Sequence, residues 1–378
     1  MAPRINTFDD WVDCFHQWQK EIGFPAELLE GFKFDAKYGE VATEEIPFGD
    51  YKGEKRWKKV LEIPDQRIRD ALQHLIVYQG DTEFGSVEQQ RRLAESAPSD
   101  YDLQSLVRVM REEMRHGWQM CHLLVSHFGY SGRVDAQKQL ERRSYKNTRL
   151  LNSFNVDVDN WLDFFVYTEF IDRDGKFQLR MLSHSGFAPL AASMGPMLKE
   201  EAFHLGTGHT GLKRIVKAGV IPLDTIQRYF NKWIPTAYDL FGVDSSSSAQ
   251  WSYVWGLKGR FDEDTNPTPP DKTQLNDYAR MLYREDIGNH VAALNNLLPA
   301  DGPRLVIPDM KFNRAIGRHA GECWGFMGEA VSPDRYPQYL ASALPTERDR
   351  GILADIFKEK NWIAPHISRP DLDAHRHA

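Results

Sequence analysis

The sequence predicts an all-α protein: a four-helix bundle with further helices before and after it. Three observations carry that expectation. From about Pro64 onward, apolar residues recur at three- and four-residue spacing over long stretches. No run alternates apolar and polar residues as a half-buried strand would. Two Glu-x-x-His pairs, Glu113/His116 and Glu201/His204, stand 88 residues apart, each inside a helical stretch.

Residues 1–66 mix aromatic, Gly and Pro positions with short charged runs, which reads as a cap of short helices and irregular connections. The bundle is expected over 67–218, from four segments at about 67–97, 100–128, 157–183 and 187–218. Ser99 and Asp100 can cap the second, and the run from Gly129 to Gly132 ends it. Ser153-Phe154-Asn155 precedes the third, and Gly186 separates the third from the fourth. Residues 129–156 then form the longer crossover between the two halves that a ferritin-like bundle requires. Residues 219–378 read as a helical extension packing on the bundle. It has helices near 223–241 and 273–298, a flexible turn at Ser245–Ser248 and a loop from Glu263 to Pro270. The tail bearing His375 and His377 is expected to fray.

With 378 residues and 41% apolar composition the chain can bury one large core with appendages. A net charge of −7 argues against nucleic-acid and anionic-membrane partners. No apolar stretch reaches the eighteen or so residues of a membrane span, and the first residues lack a signal-peptide run. Cys14, Cys121 and Cys323 show no metal-binding or paired spacing. The expectation is a cytoplasmic, reduced protein, monomeric or homodimeric.

The two pairs carry the chemistry. Residues i and i+3 are neighbours on a helix, so one Glu and one His can reach the same metal pair. Leu106, Val109, Met110, Glu113, His116, Met120 and Leu124 share one face, as do Met194, Met197, Leu198, Glu201, His204, Leu205 and Leu212. Ionisable groups inside an apolar stripe must pair or hold a cation, because burying them alone is costly. Each pair also has a carboxylate about thirty residues upstream. Glu83 stands 30 before Glu113, while Asp172 and Asp174 stand 29 and 27 before Glu201. Spacing favours Asp172; the more apolar face beside Asp174 (Tyr167, Phe170, Ile171, Phe177, Met181) keeps the alternative open. Four carboxylates and two imidazoles from four helices form the ligand set of a binuclear iron or manganese centre. Glu112 and Glu200 point about 100° away from the pairs and read as solvated or outer residues.

Longer motifs add a resemblance. The stretches are Gln79-Gly80-Asp81-Thr82-Glu83, Ser86-Val87-Glu88-Gln89-Gln90, Glu112-Glu113-Met114-Arg115-His116 and Leu140-Glu141-Arg142-Arg143-Ser144. Asp172-Arg173-Asp174-Gly175-Lys176-Phe177-Gln178-Leu179, Ser185-Gly186-Phe187 and Glu200-Glu201-Ala202-Phe203-His204 continue the run. Over about residues 64–215 the chain resembles the oxygenase components of bacterial benzoyl-CoA 2,3-epoxidases, in the wider group of phenylacetyl-CoA epoxidases. The resemblance implies Glu83, Glu113, His116, Asp172, Glu201 and His204 as ligands of two iron ions; the same donors would also accept a mixed manganese/iron pair. It also implies O2 as co-substrate, an NADPH-dependent reductase as partner and an aromatic CoA thioester as substrate. Gln79, one turn before Glu83, would be the glutamine near the oxygen site. The runner-up readings are a di-iron oxygenase hydroxylating or N-oxygenating another aromatic or carrier-bound acid, and a ferritin-like metal-binding scaffold subunit.

Weaker signals complete the reading. Met110, Met120, Met194 and Met197 could wall the metal site or simply fill the core. Lys52, Lys55, Arg56, Lys58 and Lys59, or Arg142, Arg143 and Lys146, could meet CoA phosphates, though charge runs are more often solvated faces. His209, five residues after His204, could support it from behind.

Overall fold

A computed structural model describes residues 4–366, so the tail with His375 and His377 lies outside the described residues. Among the described residues the protein is all-α, with isolated β-bridges and no strand. The ferritin-like bundle consists of α2 (Gln66–Gln90), α3 (Asp100–His127), α5 (Trp161–Leu182) and α6 (Ala188–Ala218). Around it lie α1 (Phe8–Glu21), α4 (Gly129–Glu141), α7 (Leu223–Leu240), α8 (Ser247–Val254), α9 (Leu275–Asn295), α10 (Tyr336–Ala343) and α11 (Glu347–Ile356). Helix α2 pairs with α3 and α5 with α6; α7 packs along α5, and α9 touches both α5 and α6.

Local chemistry sets the helix starts. Asp65, Ser99 and Asn160 have extended backbones, and their side chains accept hydrogen bonds from the first-turn amides of α2, α3 and α5. Helix α6 has no side-chain cap; it begins with a proline in its first turn and ends on Gly219 at φ +64°, the left-handed conformation glycine adopts freely. Pro196 lies inside α6 and cannot donate to the carbonyl of Ala192. That carbonyl instead accepts from the Gly39 amide at 2.7 Å. A Cβ at Gly39 would sit 3.1 Å from the Pro196 ring, so any larger residue there would have to push the N-terminal segment or the ring back by a few tenths of an ångström. One proline thereby fastens the cap to the helix that carries Glu201 and His204.

Helices α5 and α6 approach more closely than side chains normally permit. A Cβ at Gly208 would lie 2.5 Å from the Glu169 amide nitrogen, and one at Gly211 would lie 2.1 Å from the Phe165 ring. The two helices carrying Asp172 and His204 are thus held at near backbone contact. On the other side, α1 wedges Trp11, Phe15 and Trp18 against Phe84 and Trp118 of α2 and α3.

Three expectations change in detail. The 129–156 crossover is largely helical: α3 stops at His127, Gly129 turns the chain at φ +58°, and α4 resumes at once. Arg149 of this segment is fully buried and bonds Asp81 (3.1 Å) and Glu88 (2.7 Å) on α2, so the crossover packs as core. Ser245–Ser248 is no free turn, because the Ser246 hydroxyl accepts from the Ala249 amide and caps α8. Met110, Met120, Met194 and Met197 are fully buried in the core; the cavity beside the ligands is walled by other residues, described next.

Candidate metal centre

Helices α2, α3, α5 and α6 bring Glu83, Glu113, His116, Asp172, Glu201 and His204 into one buried cluster. Two groups share Glu113: Glu83, Glu113, His116 and Glu201 form one, and Glu113, Asp172 and His204 the other. His116 Nδ1 lies 3.4 Å from Glu83, 4.0 Å from Glu113 and 3.5 Å from Glu201. His204 Nδ1 lies 3.2 Å from Glu113 and 3.5 Å from Glu201. The imidazole rings are 5.9 Å apart. Each Glu-x-x-His pair therefore faces both the other pair and an upstream carboxylate. Asp174 stands apart from the cluster; its carboxylate accepts from Gln178 Nε2 at 3.0 Å. Gln79 is adjacent, its Nε2 donating to Glu83 Oε1 at 2.5 Å.

The cluster demands positive charge. Burial pushes the Glu113 and Asp172 carboxyls well above the usual carboxylate range, and neighbouring carboxylates push them further. Burial alone would lower the two imidazoles. Glu200 and Glu83 outweigh it for His116, and Glu201, Glu112 and Glu113 outweigh it for His204, so both are raised. Protons can supply that charge, but they leave atoms unsatisfied. His116 Nδ1, His204 Nδ1, Asp172 Oδ2 and Glu201 Oε2 are all buried without a hydrogen-bond partner. Each such orphan costs about 1–3 kcal/mol. Cations removing all four penalties fit the donor set, since carboxylate oxygens and neutral imidazole suit iron and manganese.

The far sides of the imidazoles are anchored across the bundle. His116 on α3 meets Glu200 of α6 through Nε2 at 2.9 Å; His204 on α6 meets Glu112 of α3 at 3.0 Å. Each glutamate thus steadies the histidine of the opposite helix. Arg115, fully buried, pairs with Glu200, and Arg108 pairs with Glu112 at 2.9 Å. Such partners fix which ring nitrogen faces a metal. The sequence placed Glu112 and Glu200 outside the ligand set; what it could not show was this crossed pairing. His209 does not back His204. It packs against Glu169 and His290 instead.

A cavity of about 400 Å³ opens onto the cluster, with Glu83, Glu113, Asp172 and Glu201 in its wall. Leu75, Phe154, Ile171, Leu182 and Leu240 supply its apolar lining. Tyr167 also faces it, with a buried hydroxyl that has no partner. Lys258 closes the polar end, donating to Gln178 Oε1 at 2.5 Å. Burial lowers the Lys258 ammonium to about 8 and raises the Asp174 carboxyl to about 7. Neither Lys258 nor Tyr167 carried a sequence signal, because nothing in their spacing relates them to the Glu-x-x-His pairs. The three arginines among the basic candidates have structural work: Arg56 binds the carbonyls of Thr43 and His184, Arg142 binds Asp81, and Arg143 binds Glu21.

Fold and cluster define a class, a ferritin-like bundle with a buried carboxylate–histidine cluster, compatible with a di-iron site, beside an apolar cavity. The chain belongs to the Phenylacetic acid catabolic protein family, whose model matches residues 61–300. It is 38% identical to the Benzoyl-CoA oxygenase component B of Aromatoleum evansii, over 84% of this chain and 78% of that protein. The likeness therefore runs beyond the 64–215 stretch that carries the motifs, and the chain is an oxygenase enzyme.

Proposed function

We propose that this chain is the oxygenase component of an O2-dependent system that epoxidises an aromatic acyl-CoA thioester such as benzoyl-CoA across its 2,3 bond. Glu83, Glu113, His116, Asp172, Glu201 and His204 would hold two iron ions. The observation that carries the reading is the shared wall: four of the six candidate ligands line the cavity that would receive the substrate. The relative named for benzoyl-CoA supports the substrate class.

Bound iron supplies the activation of triplet dioxygen, which no side chain can perform. The chain supplies the rest. Reaction balance requires O2, two electrons and two protons; one oxygen atom enters the C=C bond and the other leaves as water. A separate NADPH-dependent reductase would deliver the electrons. A cavity of about 400 Å³ is within the range that encloses small ligands. Its leucine, isoleucine and phenylalanine walls take an aromatic ring and displace water from the reacting face. At the other end, the Lys258 ammonium and the Gln178 amide offer donors to a thioester carbonyl. Tyr167, with its free hydroxyl, offers a further donor nearer the ligands. Gln79 holds the Glu83 carboxylate in one orientation, which limits where that ligand can swing.

The test is anaerobic reduction of the iron-loaded chain with a competent reductase, then addition of labelled O2 and benzoyl-CoA. One labelled oxygen per organic product is expected, and none when free benzoate is supplied. Absence of label from every thioester product refutes the substrate assignment; fewer than about one iron per chain after loading refutes the metal assignment.

A further inference from the structure

We infer that the protein carries a separate mononuclear site for a divalent first-row metal, best matched by zinc, built from Glu169, His209 and His290. These residues come from α5, α6 and α9, and lie outside the six-residue cluster already described.

The argument begins with distances. His209 Nδ1 and His290 Nδ1 are 3.3 Å apart. Glu169 Oε1 lies 3.3 Å from His290 Nδ1 and 3.6 Å from His209 Nδ1. A tetrahedral zinc ion with ligand bonds of about 2.0–2.1 Å sets its ligand atoms roughly 3.3–3.4 Å apart. Two sides of the triangle have those dimensions and the third, from Glu169 Oε1 to His209 Nδ1, is longer at 3.6 Å, so one ion can reach all three atoms after a small movement.

Proton chemistry alone satisfies the group poorly. Two facing Nδ1 atoms cannot both carry hydrogen at this separation, so at most one donates to the other. Glu169 is fully buried, and its Oε2 has no hydrogen-bond partner at all. The rings stand perpendicular, with centroids 4.7 Å apart.

Arg173 is the competing cation. Its Nη2 donates to Glu169 Oε1 at 3.1 Å and also lies 3.5 Å from His290 Nδ1, a long contact that a bound metal would replace, while Nη1 bonds Asp286 at 3.1 Å. A carboxylate oxygen has two lone pairs, so Oε1 can accept from Arg173 and still bind a metal. Asp286 offsets the arginine charge, and Arg173 then orients Glu169 as an outer partner orients a ligand. Both histidine side chains are partly exposed, 19% and 28%, which gives a metal a route in and a water the fourth position. Glu169 lies three residues before Asp172, and His209 five after His204. Such an ion would therefore clamp α5 to α6 about one turn from the candidate iron ligands, with α9 as the third jaw.

The test uses the metal-stripped full chain titrated with Zn2+ and, separately, with Co2+. Wild type should take up one more equivalent than the His209→Ala and Glu169→Gln variants, whose remaining equivalents are unchanged. Its Co2+ form should show the intense visible bands of a four-coordinate ion, and these should vanish in both variants. Glu169→Gln is nearly isosteric, so it remains informative if His209→Ala fails to fold; circular dichroism of the apo forms checks this. Equal metal content and identical Co2+ spectra in wild type and Glu169→Gln overturn the site. Iron loading at the bundle centre is read independently, so failure of one site leaves the other assignment standing.

Discussion

Truncating Glu112 to Ala should weaken one metal position and spare the other. Its carboxylate has two partners: His204 Nε2 at 3.0 Å and Arg108 Nε at 2.9 Å. Arg108 is 52% exposed and rehydrates when released, so losing that pair costs little. His204 is fully buried and cannot. A hydrogen bond to a charged group is worth about 1.5–3 kcal/mol. Removing an outer partner of a metal-bound histidine typically costs 10–100-fold in affinity, or about 1.4–2.7 kcal/mol. The two figures agree, and the loss falls on the group holding His204, since His116 keeps Glu200. Anaerobic equilibrium dialysis against Fe2+ or Co2+, fitted to two affinities, reads the effect: one should fall by 10–100-fold and the other by less than about threefold. Glu200→Ala should weaken the group holding His116 instead, with an added loss of fold stability because its other partner, Arg115, is fully buried. Two unchanged affinities in Glu112→Ala would refute the idea that these glutamates act through the opposite histidine. An equal fall in both would refute the claim that they act separately.

Other expectations follow from packing and charge. Gly208→Ala forces a Cβ against the Glu169 backbone, which cannot yield as a side chain would; a stability loss of about 1–3 kcal/mol in denaturant unfolding is expected, with weaker metal uptake as α5 and α6 separate. An unchanged denaturation midpoint would refute it. Arg149→Met leaves Glu88 buried and unpaired, for a loss of about 3–5 kcal/mol; adding Glu88→Gln should recover part of it, and no recovery would count against the pair. Asp174 ionises near 7 in the folded state against an ordinary value near 3.8. Its raised value means the acid form stabilises the fold, a contribution lost as pH rises through 7. Asp174→Asn should therefore match wild type near pH 4 and gain stability progressively up to pH 7–8, by a few kcal/mol. A gain that shrinks with rising pH would contradict the sign.

The carboxylate–histidine cluster was legible because helical spacing is a local rule. Glu113 and His116 share a face by sequence alone, and an apolar stripe around two ionisable groups shows that something must satisfy them. Asp172 and Asp174 were harder. Both fit an upstream carboxylate, and only the packing of α5 on α6 turns the first toward His204 while the second bonds Gln178 on its own helix. The crossover helix α4 was hidden behind Gly129 and Gly132, which read as a stop although the chain only turns there. Crossed anchoring by Glu112 and Glu200 was out of reach for a different reason. Each glutamate lies four residues before the histidine of its own helix, so local rules assign the wrong partner. Glu169 and His290 are 121 residues apart with no shared motif, and only tertiary contact joins them.

The division of the ligands between hairpins also has a consequence for assembly. Helices α2 and α3 are neighbours in sequence, as are α5 and α6, so each pair can form early from local contacts. Neither pair alone completes either metal group, because one combines Glu83, Glu113 and His116 with Glu201, and the other combines Glu113 with Asp172 and His204. A chain still emerging from the ribosome therefore offers iron only partial, weakly holding sets until the second hairpin has been made and docked. If the cluster takes iron as proposed, loading would be a late event that reports successful assembly and keeps a redox-active metal off half-built protein.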